Sequence, residues 1–199
     1  MAAVAVAVVA YDLLAYRMFH WGNVPVRLGP AALACCLFVY LARDRLDAVG
    51  VRGRPLPSWR FWRNAVLAIA AIFGVFLACV LVVFLAIDYP IELGAPDSFD
   101  AVWQTVVEAP FLEETIYRWA FVTGIVALAP RWIAVVLSGA TFAYLHFLYG
   151  NPGPDNFVGG YFFAWMYLRS GSILVPIAFH ALGNGSLIVI KLIAAALTS

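Results

Sequence analysis

At 199 residues, 65% hydrophobic and 12% charged, with a mean hydropathy of +0.93, the chain is excluded from the soluble globular class, whose domains are about 45–50% apolar and about 25% charged. A formal net charge of +1 predicts no nucleic-acid partner. Apolar runs of bilayer-spanning length recur throughout, so the expected fold class is all-α: a polytopic transmembrane helical bundle of about seven helices, forming one compact membrane domain in the lipid bilayer. Cys35, Cys36 and Cys79 lie in apolar segments without metal-type spacing and read as small buried hydrophobes, with no disulfide framework.

Met1 to Ala10 is apolar but lacks a basic leader, so it reads as the start of a first membrane helix over 2–20 rather than a cleaved signal. Asp12 and Arg17 interrupt that helix; five apart, they are expected to pair with another helix or to snorkel. Pro25 and Pro30 are expected to bracket a turn, followed by helix 2 over 29–42. The loop 43–63 carries Arg43, Arg45, Arg52, Arg54, Arg60 and Arg63 against Asp44 and Asp47, which places it in the cytoplasm by the positive-inside rule. Helix 3 covers 64–87 and leads through Asp88-Tyr89-Pro90 into an acidic, external loop with Glu92, Asp97 and Asp100. Residues 99–109 fit either an interfacial helix or the start of a long helix 4, and Pro110 favours a helix starting or kinking there. Helix 4 then covers 110–129, helix 5 covers 131–149, helix 6 covers 157–169 and helix 7 runs from 172 to the C-terminus. Seven spans are expected, or six if the first segment lies in the interface. Gly159-Gly160 is expected to allow close helix packing.

Within helix 4, Phe111-Leu112-Glu113-Glu114-Thr115-Ile116-Tyr117-Arg118 places three ionisable groups in a hydrophobic run. A charge in hydrocarbon costs about 2.5–3.5 kcal/mol on insertion scales, so such residues persist where they are paired or used. Glu114 and Arg118, four apart, share a face and can pair. Glu113 is left without that local partner, as expected of a buried general base. Two further helices carry His146, in Phe142-Ala143-Tyr144-Leu145-His146, and His180, in His180-Ala181-Leu182-Gly183-Asn184, where Asn184 shares the face of His180. Polar residues of a membrane bundle face inward, so these groups should converge. Tyr117, four residues after Glu113, is a candidate for the cavity wall or for packing, and Gly183 and Gly185 flank Asn184.

Together, Glu-Glu-x-x-x-Arg, Phe-x-x-x-His and His-x-x-x-Asn, in this order, resemble the CPBP family (CAAX proteases and bacteriocin-processing enzymes, also called Abi) of glutamate-type intramembrane endopeptidases. The resemblance extends over about 105–190 and includes the turn Tyr167-Leu168-Arg169-Ser170-Gly171-Ser172. It divides the chain into N-terminal membrane helices over 1–100 and a catalytic helical core over 101–199, with the site between helices 4, 5 and 7. The resemblance implies that Glu113 activates water with help from His146. His180 and Asn184 then stabilise the oxyanion, Glu114 and Arg118 hold the site together, and Tyr117 and Phe142 are cavity candidates. No cofactor is needed under this scheme. A carboxylate in a low-dielectric cavity is a stronger base than one in water, and each oxyanion donor contributes about 2.7–4 kcal/mol.

Three rival readings remain. A Glu with two His can ligate zinc, making a membrane metalloprotease, although His-Glu-x-x-His is absent and Asn is a poor zinc ligand. Buried Glu, Arg and His also mark proton- or ion-coupled transporters, and the same groups can simply hold helices together. With loop 43–63 inside, Glu113 and His146 both lie about one turn from the outer ends of their helices. The cavity is then expected to open outward, to the periplasmic side of a bacterial inner membrane. That opening favours a membrane-anchored or exported protein cut near its anchor, as by the family's myxosortase-like sorting enzymes, over a prenyl-CAAX protein; bacteriocin, immunity and pheromone processing stay open. A single lysine, Lys191, among abundant Ala, Val, Arg and Trp suits a GC-rich bacterial genome.

Overall fold

An apolar segment in hydrocarbon must satisfy its backbone internally, and a helix does so within one segment. The computed structural model describes residues 1–19, 24–53, 55–86, 96 and 98–198, and everything below refers to those residues. They form seven helices: α1 Ala2–Phe19, α2 Val24–Leu41, α3 Trp59–Ala86, α4 over 99–126, α5 Arg131–Leu148, α6 Pro154–Ser170 and α7 Leu174–Thr198. Of these, α2, α5 and α7 contain stretches long and apolar enough to cross a membrane. The protein is an integral membrane helical bundle. Trp21, Gly22 and Asn23, and the proposed external acidic loop with Asp88, Glu92 and Asp97, lie outside the described residues; Asp100 sits in the first turn of α4.

Several boundaries differ from expectation for identifiable reasons. Pro25 and Pro30 do not bracket a turn: α2 begins at Val24, with Pro25 in its first turn, where no N–H is needed, and Pro30 inside it. Helix α3 starts at Trp59 because Ser58 Oγ accepts the N–H of Phe61 at 3.2 Å, a serine cap that brings Arg60 and Arg63 onto the helix. Helix α4 runs through Pro110 instead of starting there. It begins at Ser98, whose Oγ accepts the N–H of Ala101, and widens to π-helix over Gln104–Glu108 and again over Glu114–Val122. Cys35 is buried, but Cys36 and Cys79 are exposed on the outer faces of α2 and α3 rather than in the core.

The basic loop is not simply solvated. Leu56 N–H donates to Ser170 O (2.9 Å), Ile173 N–H donates to Gly50 O (3.1 Å), and Val51 bridges Ser172. Trp119 Nε1–H donates to Val49 O (2.8 Å) from α4. Gly50, at φ 75°, lies where a Cβ would enter the Tyr167 ring, so only glycine fits there. The loop therefore seals the α6–α7 turn, and its Arg43, Arg45 and Arg52 share one end of the bundle with Arg131 and Arg169. Asp100, Glu108 and Asp155 belong to the starts of α4 and α6, at the opposite end.

Close contacts set the positions of α5 and α6. A Cβ on Gly160 would lie 3.0 Å from the Gly139 carbonyl oxygen, and one on Gly139 would enter the Tyr161 ring. The expected close packing of Gly160 is thus realised, against α5. On the other flank, Asp12 pairs with Arg27 of α2 (Nε–Oδ1 2.7 Å, Nη2–Oδ2 3.0 Å), while Arg17 is exposed.

Candidate active site

The π-helical turns of α4 have a sequence cause. In the Gln104–Glu108 segment Ala109 N–H donates five residues back, to Gln104 O. In that register the next donor would be residue 110, facing Thr105 O, but proline has no N–H to give. Asn184 Nδ2 of α7 donates to that carbonyl at 2.7 Å. Such wide turns recur at functional sites, and here one of them leads directly into the Glu113-Glu114 pair.

Glu113 and Glu114 are both buried and face different partners. Glu114 Oε1 lies 3.2 Å from Arg118 Nη1 and 2.8 Å from His180 Nδ1. Arg118 Nη2 donates to Gly160 O (3.1 Å), and its guanidinium lies over the rings of Phe142 (4.2 Å) and Phe163 (5.5 Å). Glu113 Oε2 is 3.8 Å from His146 Nε2 and 3.8 Å from His180 Nε2, and makes no hydrogen bond of its own. That separation is too long for a direct bond and suits a shared water. The second nitrogen of each histidine is committed: His146 Nδ1 to Phe142 O at 2.9 Å, His180 Nδ1 to Glu114. A carbonyl and an arginine-paired carboxylate only accept, so both Nδ1 atoms carry the proton. Phe142 lies tilted against the His146 imidazole at 4.2 Å, and Phe163 stacks on that of His180 at 4.9 Å.

Helices α4, α5 and α7 thus bring Glu113, Glu114, Arg118, His146 and His180 into one cluster, under a cavity of about 280 Å³ lined by Phe142, His180 and Asn184. Asn184 stands at the wall with one amide N–H spent on Thr105. Tyr117 is turned toward α1, where its hydroxyl donates to Asp12 Oδ2 at 2.6 Å, and it meets Phe142 edge-on. Gly160 and Phe163 of α6 hold Arg118 and His180 and were not singled out for the site from the sequence. The small Gly159-Gly160 pair was their one visible signal. Among the described residues no group of three or more His, Cys, Asp and Glu side chains is placed to hold a metal ion.

Residues 96–186 match the family model described as type II CAAX prenyl endopeptidase Rce1-like. No curated protein and no solved structure matches the chain. The matched span contains the two glutamates, Arg118, both histidines and Asn184, and it leaves α1, α2 and α3 outside. The segment from α4 into the first half of α7 is therefore similar to the CAAX-protease (CPBP) family core of the Rce1-like type, a family of membrane-embedded peptidases acting on membrane-associated proteins.

Proposed function

We propose that the chain is a glutamate-type intramembrane endopeptidase. The observation that carries this reading is the position of a buried carboxylate oxygen, Glu113 Oε2, 3.8 Å from two imidazole nitrogens and with no hydrogen bond of its own. A water placed among these three atoms donates one proton to Glu113 and a hydrogen bond to the unprotonated His146 Nε2. Its oxygen attacks the scissile carbonyl carbon as Glu113 takes the proton. The developing oxyanion needs donors. His180 already gives its Nδ1 proton to Glu114, so its Nε2 donates only when the ring is an imidazolium. Glu113, Glu114, Arg118 and that imidazolium then sum to zero charge, as a buried cluster requires. The second amide N–H of Asn184 is a further donor. Glu113 returns its proton to the leaving amine as the C–N bond breaks, and no cofactor enters.

For the substrate, the same reading favours a membrane-anchored protein cut beside its anchor, as in myxosortase-like sorting at a bacterial inner membrane. The arginine-bearing end lies in the cytoplasm. The cavity, with Asp155 and Asn156 on its rim, opens at the other end.

Protein termini are compared in membrane and secreted fractions from cells carrying wild type or Glu113→Gln. One or a few anchored proteins should keep a terminal segment in the variant alone; matching profiles would sink the peptidase reading. A zinc reading draws on the same two Nε2 lone pairs, since metal-bound histidines also commit their other nitrogen. Cleavage by the purified chain that survives chelation, without rescue by added zinc, decides against it.

A further inference from the structure

Helix α3 lies outside the family match and is anchored to α6 and α7 through its first turns. Trp62 is buried there, with Nε1–H on Leu56 O (2.9 Å) and its ring edge-on to Trp165 and Phe179. Past that anchor α3 and α7 stand apart. A void of about 470 Å³ lies between them, and the cavity of about 280 Å³ beside His180 continues it; Val66, Phe179 and Leu182 line both. A transmembrane helix about 10 Å across and 30 Å long would fill on the order of 2,000 Å³. A single aliphatic chain fits where a helix does not.

The two ends of this groove differ in charge. Its lower void is lined by Arg60 and Arg63, both exposed and three residues apart on one face of α3, beside Trp59, and by no acidic side chain. Tryptophan and arginine at a helix end mark the headgroup level of a bilayer. A cationic mouth on an apolar channel complements a molecule with an anionic head and an aliphatic tail. We propose that the α3–α7 groove binds an anionic phospholipid of the surrounding bilayer, its phosphate on Arg60 and Arg63 and one acyl chain running up the groove to end beside His180. This inference does not depend on the peptidase reading.

Gly183 supplies the means to test the tail. It lines the upper cavity, and a Cβ there meets nothing within 4 Å, so a larger side chain has open space in which to enter the groove. The full chain is equilibrated with vesicles containing equal phosphatidylglycerol and phosphatidylcholine, and retained lipid is read by native mass spectrometry. Wild type should retain phosphatidylglycerol selectively. Arg60→Gln with Arg63→Gln should reduce that preference by roughly thirty-fold, whereas Arg60→Lys with Arg63→Lys should keep it. Gly183→Leu should lower retention of long-chain relative to short-chain phosphatidylglycerol. Equal retention of the two lipids by wild type, a preference that survives loss of both arginines, or indifference of Gly183→Leu to chain length would overturn the proposal. The lysine pair and Gly183→Leu keep the test decisive if the glutamine pair does not fold.

Discussion

Two clusters of charge are buried in this bundle, and they are built to opposite ends. In the first, Asp12 receives two hydrogen bonds from Arg27 and one from Tyr117, at 2.7, 3.0 and 2.6 Å, with the ion pair wholly inaccessible. In the second, Glu114 Oε1 is bound by His180 at 2.8 Å and paired with Arg118 at 3.2 Å, while its neighbour Glu113 holds an oxygen 3.8 Å from both imidazoles that face it. A carboxylate whose lone pairs are spent on short bonds fixes helices. One that keeps a lone pair out of the network, in a site too dry to let water compete freely, is available for chemistry. Tyr117 stands between the two, its ring against Phe142 and its hydroxyl on Asp12, so the N-terminal helices steady α4 without entering the glutamate–histidine cluster.

The sharpest way to break this contrast is to alter each carboxylate. Glu113→Gln conserves volume and removes the proposed base. Turnover should fall by roughly 10³-fold while the thermal midpoint stays near wild type, because Glu113 Oε2 contributes no hydrogen bond to lose. Asp12→Ala should do the reverse. It leaves Arg27 buried and without its carboxylate, which costs about 3–5 kcal/mol, read as a fall in the unfolding midpoint in detergent. An Asp12→Ala protein that unfolds like wild type, or a Glu113→Gln protein that loses its fold, would erase the distinction.

A second comparison separates the histidines. On the proposed mechanism His180→Gln removes an oxyanion donor as well as the ring that Glu114 holds, so it should lower turnover by about 10²–10³-fold. On the same mechanism His146→Gln removes only an acceptor that orients the water, and its loss should be smaller. Single-turnover cleavage by the purified variants ranks them, and the opposite order would exchange their roles.

Much of this was legible in the sequence because hydrophobic run length and charge in hydrocarbon are strong signals. The seven helices, the Glu114–Arg118 pair, the isolation of Glu113 and the cross-helix pairing of Asp12 all follow from spacing and from the cost of burying a charge. What was not legible depends on contacts between distant segments. Nothing local says that 43–58 folds back on the α6–α7 turn, that Tyr117 faces Asp12 rather than the cavity, or that Gly160 lends its carbonyl to Arg118. Pro110 misled for a physical reason. A proline suits a first helical turn, but it is equally tolerated inside a membrane helix when a neighbour satisfies the carbonyl it strands.

That neighbour is Asn184, and its double duty makes the finest test. Asn184→Leu should cost about 1 kcal/mol of stability by stranding the Thr105 carbonyl, a typical value for an interhelical bond in a membrane, and should also slow turnover by removing an oxyanion donor. Pro110→Ala restores an N–H to the position facing that carbonyl. In the Pro110→Ala background, Asn184→Leu should therefore lose most of its effect on the unfolding midpoint while its effect on turnover persists. If the alanine rescues both, Asn184 acts on the reaction only through the shape of α4. If it rescues neither, the bond to Thr105 is incidental, and the π-helical turn is held by the packing of α7 against α4.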